Sequence, residues 1–200
     1  MYKSSMRVSE LLSLARDSAD VAPAVDDGYY LMWLGSLESL LYTGVIRECG
    51  VYTCTVEDGE VDISLIEESP DCALPRECDI REIFLDGRQF VLATPAEAAR
   101  HPERSLFYME RGVAHLSSPY GVTGTARLIY LRRPAYRGED SLSEFVALPD
   151  EFLPMALDYL VGCAYALVCE DTQAANRFAA YNASLDDFVK WQEKNKGGNQ

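Results

Sequence analysis

Apolar residues follow a helical spacing at both ends of the chain and a two-residue spacing in the middle. In residues 7–19 they fall at Val8, Leu11, Leu12, Ala15 and Ala19, which predicts a helix with one covered face. After a break at 20–23, Asp26 or Asp27 suits the cap of a second helix, where Tyr30, Trp33, Leu34, Leu37, Leu40 and Leu41 form an apolar stripe ending near Gly44. The two are expected to pack as a hairpin of helices. From Val51 onward the period is two. Segments 51–56 and 61–66 flank Glu57-Asp58-Gly59-Glu60, a strong signal for a β-hairpin. A second hairpin is expected at 80–85 and 89–92 around Asp86-Gly87, and a third joins 106–109 to 113–116 through Arg111-Gly112. Residues 95–100 read as one helical turn, and 125–131 as a further strand that Pro134 ends. Short strands linked by turns imply an antiparallel sheet, curled toward a small sandwich or barrel.

Helical spacing returns after Leu148. Pro149, Asp150 and Glu151 suit a first turn, where a missing N–H is harmless and negative charge meets the positive end of the helix dipole. From Phe152 to Cys169 the only charged residue is Asp158, so this helix is expected to be covered on most sides. A last helix carries Ala174, Phe178, Tyr181, Leu185 and Phe188 as a packing seam running toward Trp191. The expected fold class is therefore α+β. A core resembling a four-helix bundle comes from both chain ends, residues 1–45 and 146–193, with an inserted subdomain rich in antiparallel β-hairpins at 46–145 and a flexible tail at 194–200.

Charge and cysteine use narrow the function classes. With 18 basic against 32 acidic residues the net charge is −14, which argues against a primary binder of nucleic acid or anionic membrane. No run of 18 apolar residues lacks charge, and no long apolar stretch follows the first residues, so neither a membrane span nor a secretory signal is expected. Cys49, Cys54, Cys72, Cys78, Cys163 and Cys169 are expected to stay reduced. Their spacings are wider than those of zinc knuckles, and neither His101 nor His115 belongs to a paired-histidine motif, so no metal or cofactor is expected. Cys163 and Cys169 lie roughly 120° off a shared helix face and read as small apolar fillers.

Catalytic signatures are missing from the sequence. It has no G-x-S-x-G elbow, P-loop or G-x-G-x-x-G, and Glu57, Asp58 and Asp86 are better explained as turn residues. Asp158 suits a hydrogen-bonded or interface-facing carboxylate, or else a perturbed general acid. Residues 132–144 read as a long loop. It carries Arg132, Arg133 and Arg137, a basic concentration in an acidic chain; either these residues balance nearby carboxylates or they meet an acidic partner or passing phosphates.

The stretches Val8-Ser9-Glu10-Leu11-Leu12-Ser13-Leu14-Ala15-Arg16-Asp17 and Tyr30-Leu31-Met32-Trp33-Leu34, with the closing Leu148-Pro149-Asp150-Glu151 helix pair, resemble the head–tail connector adaptors of tailed bacteriophages. The resemblance covers residues 7–44 and 146–191, and the strand-rich middle matches only as a type of insertion. It implies a virion structural protein of the neck, present in the host cytoplasm during assembly. Its helices would dock beneath the portal, its inserted strands would face downstream neck or tail proteins, and its copies would close as a ring around the DNA channel. DNA would pass without sequence-specific binding. Candidate partner contacts are Arg132, Arg133, Arg137, Lys194 and Lys196, with no catalytic, cofactor or metal residue. The competing classes are a small regulatory protein-binding domain and a hydrolase using acidic residues.

Overall fold

The computed structural model describes residues 2–20, 25–67 and 72–197, so most of the expected break at 20–23 and the end of the tail at 198–200 lie outside the described residues. The elements begin with α1 (Val8–Ala19), α2 (Asp27–Leu41), β1 (Cys49–Val56), β2 (Glu60–Asp62), β3 (Cys72–Ala73), β4 (Ile80–Leu85) and β5 (Arg88–Leu92). They continue with α3 (Pro95–Arg100), β6 (Leu106–Glu110), β7 (Val113–Ser117), β8 (Gly124–Leu131), β9 (Arg133–Pro134), α4 (Leu153–Leu167) and α5 (Asp171–Gly197). The chain divides into a helical unit, Met1–Ile46 with Tyr136–Gln200, and a strand unit, Arg47–Ala135.

In the helical unit, α4 is the hub. Leu160, Val161 and Ala164 are fully buried, and α4 packs against α1, α2 and α5, while α1 and α2 barely touch each other. The expected hairpin of helices and the bundle-like core are therefore not what forms. Apolar spacing fixes which face of a helix is covered but leaves open which neighbour covers it, and α4 is apolar enough to serve three neighbours at once. Part of the cover comes from the returning chain: Val146, Ala147 and Leu148 are buried, and Ser4 and Val8 donate backbone hydrogen bonds to the carbonyls of Val146 and Glu144 at 2.9 Å each. Asp26 caps α2 by accepting from the Tyr29 N–H at 3.3 Å. Residues 150–152 form a 3₁₀ turn and α4 begins at Leu153, so Pro154, rather than Pro149, is the proline of the first turn. The helix α5 lies along α4 through the expected seam, with Ala174 and Phe188 buried and Phe178, Tyr181 and Leu185 half-buried. A methyl group on Gly162 would lie 3.0 Å from the Phe178 ring, so the bare glycine sets how closely α5 approaches. Helix α5 reaches Gly197 and so takes in Lys194, where the sequence pattern ends at Trp191.

The strand unit holds a seven-stranded sheet in the order β1-β8-β4-β5-β6-β7-β2. Two of the expected hairpins are present. Asp86 and Gly87, at φ 49° and 80°, join β4 to β5, and Arg111 and Gly112, at φ 52° and 82°, join β6 to β7; two successive positive φ values are what a two-residue hairpin turn demands. The Asp58-Gly59 segment does something else. All eight residues of β1 pair with β8, and β2 pairs with β7, so residues 57–59 are a corner linking the two edge strands and the sheet curls into a nearly closed barrel. Gly59, at φ 73°, packs against Val122 and accepts a hydrogen bond from the Leu116 N–H at 2.7 Å, which holds the corner beside β7. The sheet is also not purely antiparallel, because α3 carries the chain across so that β5 and β6 run parallel. The mixed α+β class stands, but a helix-bundle core with an antiparallel insert is replaced by a hub helix and a mixed, barrel-like sheet. Ile83, Phe90, Phe107, Ala114, Ala126 and Leu128 fill the barrel, and the Tyr130 ring occupies the space a side chain at Gly50 would need.

Candidate contact surfaces

The basic residues of the 132–137 segment have different fates. Arg132 is half-exposed, with Nη1 3.4 Å from Glu48 Oε1. Arg133 is buried, donating through Nε to Asp79 Oδ2 at 2.7 Å and through Nη2 to the Leu74 carbonyl at 3.1 Å. The same Asp79 oxygen accepts the Arg76 N–H at 2.8 Å. Arg137 is buried in the helical unit and forks onto Glu38, with Nε to Oε2 at 2.8 Å and Nη2 to Oε1 at 3.0 Å. It also donates to Glu144 Oε2 and to the Phe145 carbonyl, while the Ala147 N–H donates to Glu38 Oε1 at 2.7 Å. Burial alone would lower the pKa of Arg137; hydrogen bonding and charge from Glu38, then from Glu144, overcome this and raise it. The guanidinium groups of Arg133 and Arg137 are thus taken up by carboxylates of their own units. Lys194 is exposed near the end of α5, and Lys196 lies in its last turn.

The burial of Arg137 has a trace in the sequence. Glu38 lies between Leu37 and Leu41 on the covered face of α2 and is itself fully buried, and a carboxylate there requires a cation from elsewhere in the chain. Asp158 is likewise paired, with Oδ1 2.8 Å from Arg177 Nη1. His101 ends α3 beside Glu103, and His115 lies on β7. Cys163 is hydrogen-bonded to Tyr159; burial raises the thiol, and burial followed by the influence of Cys163 pushes Tyr159 up to about 12. Among the described residues, no group of three or more His, Cys, Asp or Glu is arranged to hold a metal ion, and no helix is long and apolar enough to cross a membrane.

Two outer stretches of the helical unit are poor in charge. On α2, Tyr29, Met32 and Leu40 are 42%, 43% and 67% exposed, flanked by Gly28, Ser36 and Gly44. Leu40 therefore belongs to the surface and not to the expected core stripe; the arc of Tyr30, Leu34, Leu37 and Leu41 is narrower than the apolar pattern implied. Within α2 the only charged residues are Asp27, paired with Arg16, and the buried Glu38. On α5, Ala175, Asn176, Ala179, Ala180, Asn182 and Ala183 are exposed and small. In an acidic chain, surface of this kind suits helix-to-helix contact.

No curated protein matches the chain. The model of the SU10 adaptor protein family matches residues 6–199, both units included. The chain belongs to the SU10 adaptor protein family, in line with the likeness of its helical ends to phage head–tail adaptors.

Proposed function

We propose that the protein is a non-catalytic component of the phage neck whose copies close as a ring beneath the portal and join it to downstream neck or tail proteins around the DNA channel. The family match over residues 6–199 carries this reading. In the proposed arrangement the helical unit meets the portal and the strand unit faces downstream. Ring closure needs two different patches per subunit, one meeting the other on the next copy, and the uncharged outer face of α2 and the small-residue stretch of α5 are suited to that. Arg132, Lys194 and Lys196 remain the proposed basic contacts: Arg132, though paired with Glu48, is half-exposed and Lys194 is exposed, whereas Arg133 and Arg137 are buried against Asp79 and Glu38. The net charge of −14 lets a duplex pass without gripping its phosphates.

Electron microscopy of the purified protein, alone and with its portal, tests the proposal. A closed ring attached to the portal is the expected result, and protein that neither closes nor attaches overturns it. Deleting residues 194–200, or changing Arg132 to Ser, is expected to weaken attachment without unfolding the protein.

A further inference from the structure

We propose that the strand unit carries a receptor site for a single arginine side chain presented by a partner protein. The site is a groove of about 290 Å³ between α3 and the outer face of the β2-β7-β6 part of the sheet. Its floor follows from strand register: Glu60 lies opposite His115 and His115 opposite Tyr108, which places the three side chains in one row across three strands. The Tyr108 and His115 rings stack against one another, with centroids 4.9 Å apart and planes 16° from parallel. Glu60 Oε1 lies 3.3 Å from His115 Nδ1, so a carboxylate borders that aromatic stack, and Asp58 adds a second at the corner. Pro95, Ala98 and Ala99 of α3 form an apolar wall, and no Lys or Arg is among the lining residues.

These features match a guanidinium group. It is planar, weakly hydrated and stacks on aromatic rings, while its fork of donors suits a carboxylate at the rim. An ammonium group would meet the carboxylates as a point charge and could not extend the ring stack as a planar guanidinium does. The volume lies at the low end for ligand pockets, which fits one long side chain better than a whole small molecule. The site rests on the adaptor reading only for the source of that side chain, a downstream neck or tail protein.

The test is NMR of the intact isotope-labelled protein titrated with N-acetylarginine methylamide, and with the lysine and norleucine equivalents as controls. Saturable shifts of the Tyr108 and His115 ring signals are expected with the arginine compound, several-fold tighter than with lysine and absent with norleucine. Glu60→Gln and Tyr108→Leu should each weaken the response several-fold while the backbone spectrum stays that of the folded protein. No ring response to arginine, an equal response to norleucine, or a response unchanged in both variants overturns the site. Because the probe is a small molecule, an absent response removes the site and leaves the adaptor reading intact. A normal response in protein that attaches to no neck component does the reverse.

Discussion

Each unit buries one arginine from the same short stretch of chain, and the two are held differently. Arg137 spreads its fork over Glu38 in the last turn of α2, and Glu38 in turn holds the Ala147 N–H, so one ion pair fixes where the returning segment crosses the helix. Arg133 meets Asp79 in a 3₁₀ turn beside the two-stranded β3–β9 ladder and, with Arg76 and Leu74, pins a loop to a strand end. The first knot centres on Glu38, whose side chain is fully buried in the helical unit, with half-exposed Glu144 at its edge. The second closes a margin, where local movement can let water in. Burial alone does not set the worth of an ion pair; what surrounds it when it is broken decides the cost.

The largest effect is expected where the core knot is cut. Arg137→Met should cost about 3–5 kcal/mol in denaturant unfolding, whereas combining it with Glu38→Leu should recover part of that loss, the Ala147 N–H being left without its acceptor. A single variant near wild type would break the comparison. Leu160→Ala, at the fully buried centre of α4, should cost about 2–5 kcal/mol, and Trp33→Ala, half-buried on α2, about 1–3. Equal losses would mean that α4 is not the hub. Asp79→Asn should cost about 1–3 kcal/mol, and a cost matching Arg137→Met would place the marginal knot on a par with the core one.

Two smaller effects sharpen the picture of the helical unit. Tyr159, raised from 10.0 to about 12, favours the folded state while neutral; that contribution is complete below its unfolded value and is lost as pH rises from about 10 to 12. Tyr159→Phe should flatten this alkaline decline, as followed by thermal melts across that range. Leu40→Ser should change stability by less than about 0.5 kcal/mol yet impair ring closure by electron microscopy. Unaltered rings would move the subunit contact away from α2.

Local signals in the sequence were reliable and long-range ones were not, for a physical reason. Asp86-Gly87 and Arg111-Gly112 join strands that pair with each other from the turn onward, so the local preference and the final pairing agree. At Asp58-Gly59 the same chemistry makes a corner: β1 pairs with β8 and β2 with β7, at opposite ends of the sheet order. Helix spacing found α1, α2, α4 and α5 but said nothing of the hub, and it drew in Leu40 because apolar residues on an outer face look the same in sequence as those on an inner one. The contact candidates show the same limit. Arg133 and Arg137 read as a basic loop until Asp79 and Glu38, 54 and 99 residues away, are brought beside them.

The uncharged outer face of α2 also sets how assembly should respond to ionic strength. Copies carrying a net charge of −14 repel one another at a distance, while contact between apolar faces is insensitive to dilute salt. Added electrolyte should therefore draw copies together across α2, the reverse of its effect on a protein that clings to phosphates. In dilute buffer copies are expected to stay apart although Met32 and Leu40 are exposed, and salt alone is expected to remove that barrier without any change in the subunit itself.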